Sequence, residues 1–316
     1  MRGNDVAFAF GAMLFVAAAA LTTFLVGNEY PFFAGYVILQ YIVLAVAWTI
    51  LGGYAGYVNF GASAFFGVGV YTSVFLAKAF GAPLLVQIAV AAAVGGFLGF
   101  AVGLLTLRMK GIFFSIATIA VTIIIDTFIV NWKYVGGAAG IQVVRPPTMA
   151  PFESYVKMLF VVQAILVVIA VATARYIQNS RIGRGLQALR DDELAAECSG
   201  VPTLKLKLLA CVISGALMAA AGAPSPMYLQ YAIPVAAFDL NYSVSALAMS
   251  LIGGTSHWLG PVLGAVLLGV TQQWLTVNIS SAANVLLLGV MLVVFVVAAP
   301  RGIIGLFVRK KSEKTP

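Results

Sequence analysis

The sequence has 316 residues, of which 62% are hydrophobic and only 9% are charged, with a formal net charge of +8. A soluble domain is typically about 45–50% apolar and about 25% charged, so this composition excludes an ordinary soluble protein. The apolar segments are long rather than short and alternating, which favours membrane-spanning helices over a β-barrel. The sequence therefore predicts an all-α polytopic membrane protein with a single transmembrane domain over residues 1–316.

Ten segments are apolar enough to cross the bilayer core, which takes about 20 residues of helix. In chain order they are 6–26, 33–51, 60–77, 84–107, 111–130, 158–177, 208–223, 243–256, 260–276 and 284–300. Glycines interrupt the third segment and the eighth is short, so these two are the least regular. The first has a weak basic flank, Arg2, and no convincing cleavage site before Glu29, so we interpret it as a retained helix rather than a signal peptide.

Lys and Arg residues are concentrated on one side of this layout. If both termini lie on the same side, fourteen of the 18 basic residues fall on that side and four on the other. Because cytoplasmic loops carry an excess of Lys and Arg, we predict that both termini are cytoplasmic. The positive charge suits anionic lipid headgroups and not nucleic acid.

The most polar stretch is the loop of residues 178–207, here called the charged loop, which this orientation places in the cytoplasm together with the basic tail 301–316. Within the loop, Asp191 and Asp192 suit a helix N-terminus, where carboxylates accept hydrogen bonds from free backbone N–H groups. Gly200, two residues before a proline, suits the C-terminal end of the same helix. We predict a short helix from about Asp192 to the residue before Gly200. Such a loop is either a solvated surface or a docking surface for a soluble partner.

Three sequence motifs carry a resemblance to a known family. "LAAECSG" (194–200) resembles the EAA loop of ABC-importer permeases, and the surrounding "SRIGRGLQALRDDELAAECSGV" is similar to LivM-type permeases of branched-chain amino acid ABC transporters. "GYAGYVNFGASAFFGVGVYT" (53–72) and "GGTSHWLGPVLGAVLL" (253–268) resemble two further motifs of that family, in the same order. The resemblance covers roughly residues 35–306 and implies the ABC-importer permease fold.

The resemblance also implies partners and a role for the charged loop. The sequence has no GxxxxGK[ST] phosphate loop, so ATP hydrolysis would take place on other subunits and this chain would be no enzyme. The implied partners are two ATP-binding subunits, a second permease of the LivH type and a periplasmic substrate-binding protein, at the bacterial inner membrane. No cofactor or metal is expected on this chain. The residues expected to dock the ATP-binding subunits are Arg184, Arg190, Asp191, Asp192, Glu193, Ala195, Ala196, Glu197 and Gly200.

The glycine-rich block over residues 52–72 is the candidate for handling substrate. An amino acid needs its ammonium and carboxylate satisfied along the path, and broken or glycine-rich membrane helices supply backbone groups and dipole ends for that purpose. The same glycines also suit close packing between helices, and the two interpretations are compatible. The candidate pathway residues are Gly53, Gly56, Asn59, Gly61, Ser63, Gly67 and Gly69.

A few other residues have chemistry that needs an interpretation. Asp126 is the only carboxylate within a predicted span; an ionisable residue there is a functional candidate, but its place near the outer end favours an interfacial carboxylate. His257 and Trp258 are predicted to mark the membrane interface. Cys198 and Cys211 are interpreted as small apolar fillers rather than a disulfide or metal pair.

Two segments on the outer side, 131–157 and 224–242, are rich in Gly, Pro and polar residues. We predict that they pack as outer caps or re-entrant pieces. In the family that the chain resembles, they would face the substrate-binding protein.

The expected function is that of a permease subunit of an ABC importer for branched-chain or related amino acids. An importer of urea, short amides or other small organic acids is an alternative within the class. A stand-alone secondary transporter is an alternative from another class. It would need coupling carboxylates or histidines near the middle of the membrane, and apart from Asp126 the predicted spans are nearly bare of them.

The predicted orientation is testable by labelling from outside the cell. Single cysteines replacing Gln187 and Ser312 should be protected from an impermeant thiol reagent in intact cells, whereas one replacing Thr148 should react, in a chain without Cys198 and Cys211. Permeabilised cells, in which all three should react, provide the control. Labelling of position 187 in intact cells would contradict the layout.

Overall fold

The computed structural model describes residues 2–106, 109, 111–145, 152, 154–278, 281–298 and 302–305. In this part of the chain the structure is almost entirely helical. The helices are α1 (Arg2–Leu25), α2 (Tyr30–Trp48), α3 (Ala62–Phe80), α4 (Leu84–Thr106), α5 (Ile112–Asn131), α6 (Tyr155–Asn179), α7 (Arg181–Asp191), α8 (Glu193–Cys198), α9 (Thr203–Gly222), α10 (Ser225–Leu229), α11 (Pro234–Ala237), α12 (Leu240–Gly253), α13 (Gly260–Asn278) and α14 (Ser281–Ala298). A π-helical turn, Thr49–Gly53, continues α2, and short 3₁₀ turns follow α5 at Lys133–Val135 and Gly137–Ala139.

The prediction of about ten membrane helices is confirmed. Nine helical stretches among the described residues are long and apolar enough to cross a membrane. The tenth predicted span coincides with α14, of which the described apolar stretch is Leu286–Phe295. The two irregular segments are helices as well: the third span is α3, and the eighth is α12 preceded by the short α11.

Helix α2 forms the centre of the bundle. All seven residues from Ile42 to Trp48 are buried, and α2 packs against α6, α9, α12 and α13. A helix that is apolar on every side is expected in the interior of a large assembly or within a membrane. By contrast, α1 is mostly exposed and packs chiefly against α6, as expected for a helix that faces lipid.

Glycines allow α4 and α9 to pack with their backbones nearly in contact. A Cβ atom on Gly95 would lie 2.7 Å from the carbonyl oxygen of Gly215, and one on Gly99 would lie 2.6 Å from that of Cys211. Real side chains do not approach a backbone so closely, so only glycine fits. Small residues at such crossings give membrane helices the van der Waals contact that the hydrophobic effect cannot supply between apolar surfaces in lipid.

The charged loop lies at the same end of the bundle as the start of α1 and the residues after α14. Asp5 of α1 forms an ion pair of 3.0 Å with Arg175, near the end of α6 that leads into the charged loop. Gln178 Nε2 donates to the carbonyl of Ser256 at 3.0 Å, and Gly302 packs directly against the backbone of Gly254. The structure thus places both ends of its described chain at the same end of the bundle. That this end is cytoplasmic stays a prediction. Most of the basic tail lies outside the described residues.

The opposite end carries the two segments predicted as outer caps, and they pack on each other. Ile141 pairs with Ala232 in a two-residue antiparallel ladder of β1 (Ile141–Gln142) and β2 (Tyr231–Ala232). Arg145 reinforces this pairing, because its Nε donates to the carbonyl of Met227 at 2.7 Å and its Nη2 to that of Tyr228 at 2.8 Å.

The predictions for the cysteines and for His257 have mixed outcomes. Cys211 is buried as an apolar filler, whereas Cys198 is exposed at the end of α8, so the filler interpretation is wrong for Cys198. Burial and the neighbouring Arg175 lower the pKa of His257, whose Nδ1 accepts a hydrogen bond from the Leu259 backbone at 3.2 Å. Trp258 packs edge-on against Phe8 of α1, so this turn also anchors the first helix.

The packing of α4 on α9 predicts that an alanine destabilises the protein at one glycine of α4 and is tolerated at another. Gly99→Ala should destabilise the purified protein by about 1–3 kcal/mol, the usual cost of overpacking. Gly96→Ala is the matched control, because its Cβ would find its nearest neighbour at 3.6 Å, an ordinary contact. Thermal unfolding in detergent measures both. Equal melting temperatures for the two variants would contradict the close backbone contact.

Candidate functional site at the helix break and the charged loop

Residues 54–61, here called the helix break, are non-helical and interrupt the run between α2 and α3. Because several of these residues are buried, their backbone groups need partners. The Phe60 N–H donates to Thr118 Oγ1 of α5 at 3.1 Å, and the Gly61 N–H donates to Asn59 Oδ1 at 2.7 Å. Side chains therefore replace the lost helical hydrogen bonds.

Two serines from other helices continue this pattern. Ser243 of α12 accepts a hydrogen bond from the Ser63 N–H at 2.9 Å and donates to the Phe60 carbonyl at 2.6 Å. Ser115 of α5 donates to the Val58 carbonyl at 2.8 Å. The helix break is thus held by α5 on one side and α12 on the other.

The other end of the helix break is held by α2 and by the charged loop. The Trp48 indole N–H donates to the Asn59 carbonyl at 2.8 Å, so the chain folds back along the end of α2. Arg190 Nη1 donates to the Gly53 carbonyl at 2.8 Å. Gly56 has a φ of +78° and faces the Arg190 side chain, an approach that a residue with a Cβ would make strained.

The structure assigns a packing or hydrogen-bonding role to most of the predicted pathway residues. Asn59 and Ser63 are buried: the Asn59 side chain accepts from the Gly61 N–H within the helix break, and the Ser63 hydroxyl is hydrogen-bonded to Ser243 of α12. A Cβ on Gly67 would overlap the ring of Phe238, and one on Gly69 would overlap the Ala219 carbonyl. The close-packing interpretation is therefore supported, while contact with a substrate stays a prediction.

Gly53 and Gly61 are equally crowded. A Cβ on Gly53 would lie 2.6 Å from Thr49 Cγ2 and 3.0 Å from Thr255 Cβ, and one on Gly61 would lie 3.1 Å from Asn59 Oδ1. A Cβ at either position would require its neighbours to shift, by more at Gly53 than at Gly61.

The charged loop contains two short helices rather than one. The predicted helix is present as α8, where Asp192 Oδ1 accepts hydrogen bonds from the N–H groups of Leu194 at 2.9 Å and Ala195 at 3.0 Å. Gly200 follows with a φ of +82°, the left-handed conformation expected after a helix end. Asp191, however, is the last residue of α7, so its predicted place at a helix N-terminus is wrong. Helix α7 was not predicted from the sequence.

The residues predicted to dock a partner do not all face outward. Glu193 is half-buried and Ala196 is buried, whereas the other seven are exposed: Arg184, Arg190, Asp191, Asp192, Ala195, Glu197 and Gly200. The carboxylate of Glu197 accepts a hydrogen bond of 2.6 Å from the Thr203 hydroxyl, which stabilises the end of α8.

One large apolar side chain on α8 was missing from the predicted set. Leu194 is 67% exposed at the start of this helix, outside the membrane-spanning stretches. An exposed leucine is unremarkable by itself, but it lies beside Ala195 on a helix that is fixed by caps at both ends.

The most buried charges of this end of the molecule form a cluster of Tyr57, Glu193 and Lys207, here called the Tyr57 cluster. Lys207 Nζ lies 2.7 Å from Glu193 Oε1 and donates to the Tyr57 hydroxyl at 3.1 Å. The Tyr57 hydroxyl donates to Glu193 Oε2 at 2.8 Å. Burial and the hydrogen bond to Glu193 raise the pKa of Tyr57, so its hydroxyl keeps its proton and remains a donor.

Sequence reasoning missed Tyr57 and Lys207. Lys207 was counted among the loop charges, yet its position among apolar residues at the start of α9 was a signal that it needs a buried partner. Nothing in the sequence indicated that this partner is Glu193, which was assigned to the docking surface instead.

Two further features lie near the site or within the bundle. A cleft of about 580 Å³ opens between the helix break, the start of α5 and the charged loop, with Tyr57 and Glu193 in its wall. Asp126 lies on α5 with Oδ1 enclosed and without a hydrogen-bond partner in the described part of the chain. Its assignment to the membrane interface stays a prediction. The described residues contain no group of three or more His, Cys, Asp or Glu that could hold a metal ion.

Comparison with known proteins places the chain among permeases. The family model described as "Branched-chain amino acid transport system / permease component" matches residues 30–296. No solved structure matches the chain.

Individual relatives are distant but cover most of the sequence. The LivM permease proteins of the high-affinity branched-chain amino acid transport systems of Salmonella typhimurium and Escherichia coli are each 25% identical to it over 289 residues, 84% of this chain and 67% of the relative. A probable branched-chain amino acid permease LivH of Methanocaldococcus jannaschii is 25% identical over 84% of this chain and 88% of its own length. The ribose import permease RbsC of Haemophilus influenzae is similar over a shorter part, with 32% identity over 41% of this chain and 42% of the relative.

The cap of α8 predicts a local effect at this site. Asp192→Ala should lower the stability of α8 by about 1 kcal/mol, which corresponds to roughly fivefold faster hydrogen exchange at residues 194–198. Asp191→Ala is the matched control, because Asp191 lies at the end of α7 and caps nothing in α8. Hydrogen exchange with mass spectrometry measures both, and identical exchange in the two variants would refute the capping role.

Proposed function

Because the chain belongs to the family of permease components of branched-chain amino acid transport systems, we propose that it translocates branched-chain or related amino acids through the bacterial inner membrane. It does so as the permease subunit of an ABC importer. The family match over residues 30–296 is the observation that carries this proposal. The nine long apolar helices of the described chain are what a multi-pass subunit requires.

The charged loop is the proposed contact with the ATP-binding subunits. It carries a capped helix outside the membrane-spanning stretches, with Leu194 and Ala195 exposed, and the preceding helix α7 carries the exposed charged residues Arg184 and Asp191. An exposed apolar side chain rimmed by charges is the usual composition of a protein interface. The Glu193 side chain is mostly enclosed by its ion pair with Lys207, whereas Arg190 donates to the Gly53 carbonyl and is also exposed, so Arg190 stays in the proposed docking set.

The remaining partners follow from the same assignment. We propose that ATP is hydrolysed on two separate ATP-binding subunits, since this sequence has no phosphate loop, and that a second permease of the LivH type lies beside the chain. The paired outer segments around β1 and β2 form the proposed contact with the substrate-binding protein, because they cover the end of the bundle opposite the charged loop.

Reconstitution of the complete transporter tests the proposal. The chain, its companion permease and the ATP-binding subunits in liposomes should take up a branched-chain amino acid when ATP and the loaded binding protein are supplied. Leu194→Glu should weaken co-purification of the ATP-binding subunits by about tenfold or more, as expected for the loss of a central interface residue. Val144→Glu is the control for this co-purification alone, because Val144 is 85% exposed at the opposite end, in the segment proposed to contact the substrate-binding protein.

Uptake without ATP would indicate a secondary transporter and would contradict the proposal. Normal co-purification and uptake with Leu194→Glu would remove α8 from the docking surface.

A further inference from the structure

We infer that the Tyr57 cluster is a joint that transmits movement of the charged loop to the helix break, with Tyr57, Glu193 and Lys207 as positioning residues. The inference rests on the proposed function. The three side chains come from three separate elements: the helix break, the first residue of α8, and α9. Each touches the other two through hydrogen bonds of 2.7 to 3.1 Å.

Burial makes this connection stiff. The side chain of Lys207 is 4% exposed and that of Glu193 is 16% exposed. Removing one partner from a buried ion pair leaves the other charge uncompensated, which is strongly unfavourable. The charged loop therefore cannot move away from α9 at Glu193 without a large cost, and a rigid movement of the three elements together avoids that cost.

A second contact from the same loop reaches the same segment. Arg190, three residues before Glu193, donates to the carbonyl of Gly53 immediately ahead of the helix break, and its side chain lies against Gly56. Tyr57 is thus hydrogen-bonded to Glu193 of α8, while Arg190 of α7 contacts Gly53 and Gly56. Two contacts on either side of the entry to the helix break fix its direction as well as its position.

The helix break passes the displacement onward. At its far end the helix break is hydrogen-bonded to Thr118 of α5 and to Ser243 of α12. Helix α3 begins immediately after it. A push on Tyr57 is therefore delivered to three membrane helices through hydrogen bonds already described. Helix α9 receives it directly through Lys207. A docking surface alone would need none of these inward contacts.

The experiment uses the complete transporter in liposomes and two variants. Tyr57→Phe removes only the hydroxyl and keeps the ring, which packs edge-on against Phe114. The triple variant Tyr57→Phe, Glu193→Met, Lys207→Met replaces the whole cluster by apolar groups, which often preserves stability because no charge is stranded. Tyr176→Phe is the matched control, because it removes the hydroxyl of a tyrosine that is 70% exposed on α6, outside both the helix break and the charged loop.

Two readouts separate transmission from stability: the amount of assembled complex, and the number of substrate molecules imported per ATP hydrolysed. We expect both cluster variants to assemble and hydrolyse ATP, while import per ATP falls about tenfold or more, the effect of losing a hydrogen bond to a charged group on a coupled equilibrium. Stimulation of hydrolysis by the loaded binding protein should fall with it. Tyr176→Phe should behave as wild type.

Two results would contradict the inference that the Tyr57 cluster transmits movement. One is wild-type import per ATP in both cluster variants. The other is a loss of all activities in proportion to the amount of complex, which would make the cluster a stabilising contact only. If the wild-type complex shows no ATP-driven import, the proposed function itself fails, and this inference falls with it; the wild-type control therefore distinguishes the two failures.

Discussion

Backbone polar groups buried at the helix break must find partners, and this constraint organises the rest of the site. Within a helix the backbone satisfies its own hydrogen bonds, but residues 54–61 have left that pattern at the end of the bundle that carries the charged loop, with several of them buried. Thr118, Ser243 and Ser115 supply the missing hydrogen bonds from helices that are distant in sequence. Polar residues on α5 and α12 that would be costly against lipid are thereby used inside the protein.

The same constraint joins two sequence motifs that lie more than a hundred residues apart. The glycine-rich block and the charged loop meet because Arg190 satisfies the Gly53 carbonyl and Glu193 accepts from Tyr57. The charged loop therefore has two faces. Its inward face holds the helix break, and its outward face, with Leu194, is the proposed contact with the ATP-binding subunits.

Local features were predictable from the sequence, whereas long-range partnerships were not. Hydropathy located the membrane helices, and the short-range chemistry of Asp192 and Gly200 located α8, because caps depend on residues two or three positions away. Asp191 was wrongly predicted at the N-terminus of α8, because either of two adjacent aspartates could cap a helix that starts there. The role of Glu193 could not be predicted from the sequence. Its partners Tyr57 and Lys207 are 136 and 14 residues away, and no local sequence pattern links the three. The function of the predicted pathway glycines was also ambiguous. The sequence indicates that these positions leave room for another group, but not whether that group is a neighbouring helix or a substrate.

The central claim is that the charged loop and the helix break move as one body. Pulsed electron paramagnetic resonance on the complete transporter tests it directly, with spin labels at Gln187 or Val58 and a common reference label at Val144, in a chain without Cys198 and Cys211. On ATP binding, the distances from Gln187 to Val144 and from Val58 to Val144 should change together, and the Tyr57→Phe variant should lose the change at Val58. A shift at Gln187 with no shift at Val58 in the unaltered cluster would contradict the account.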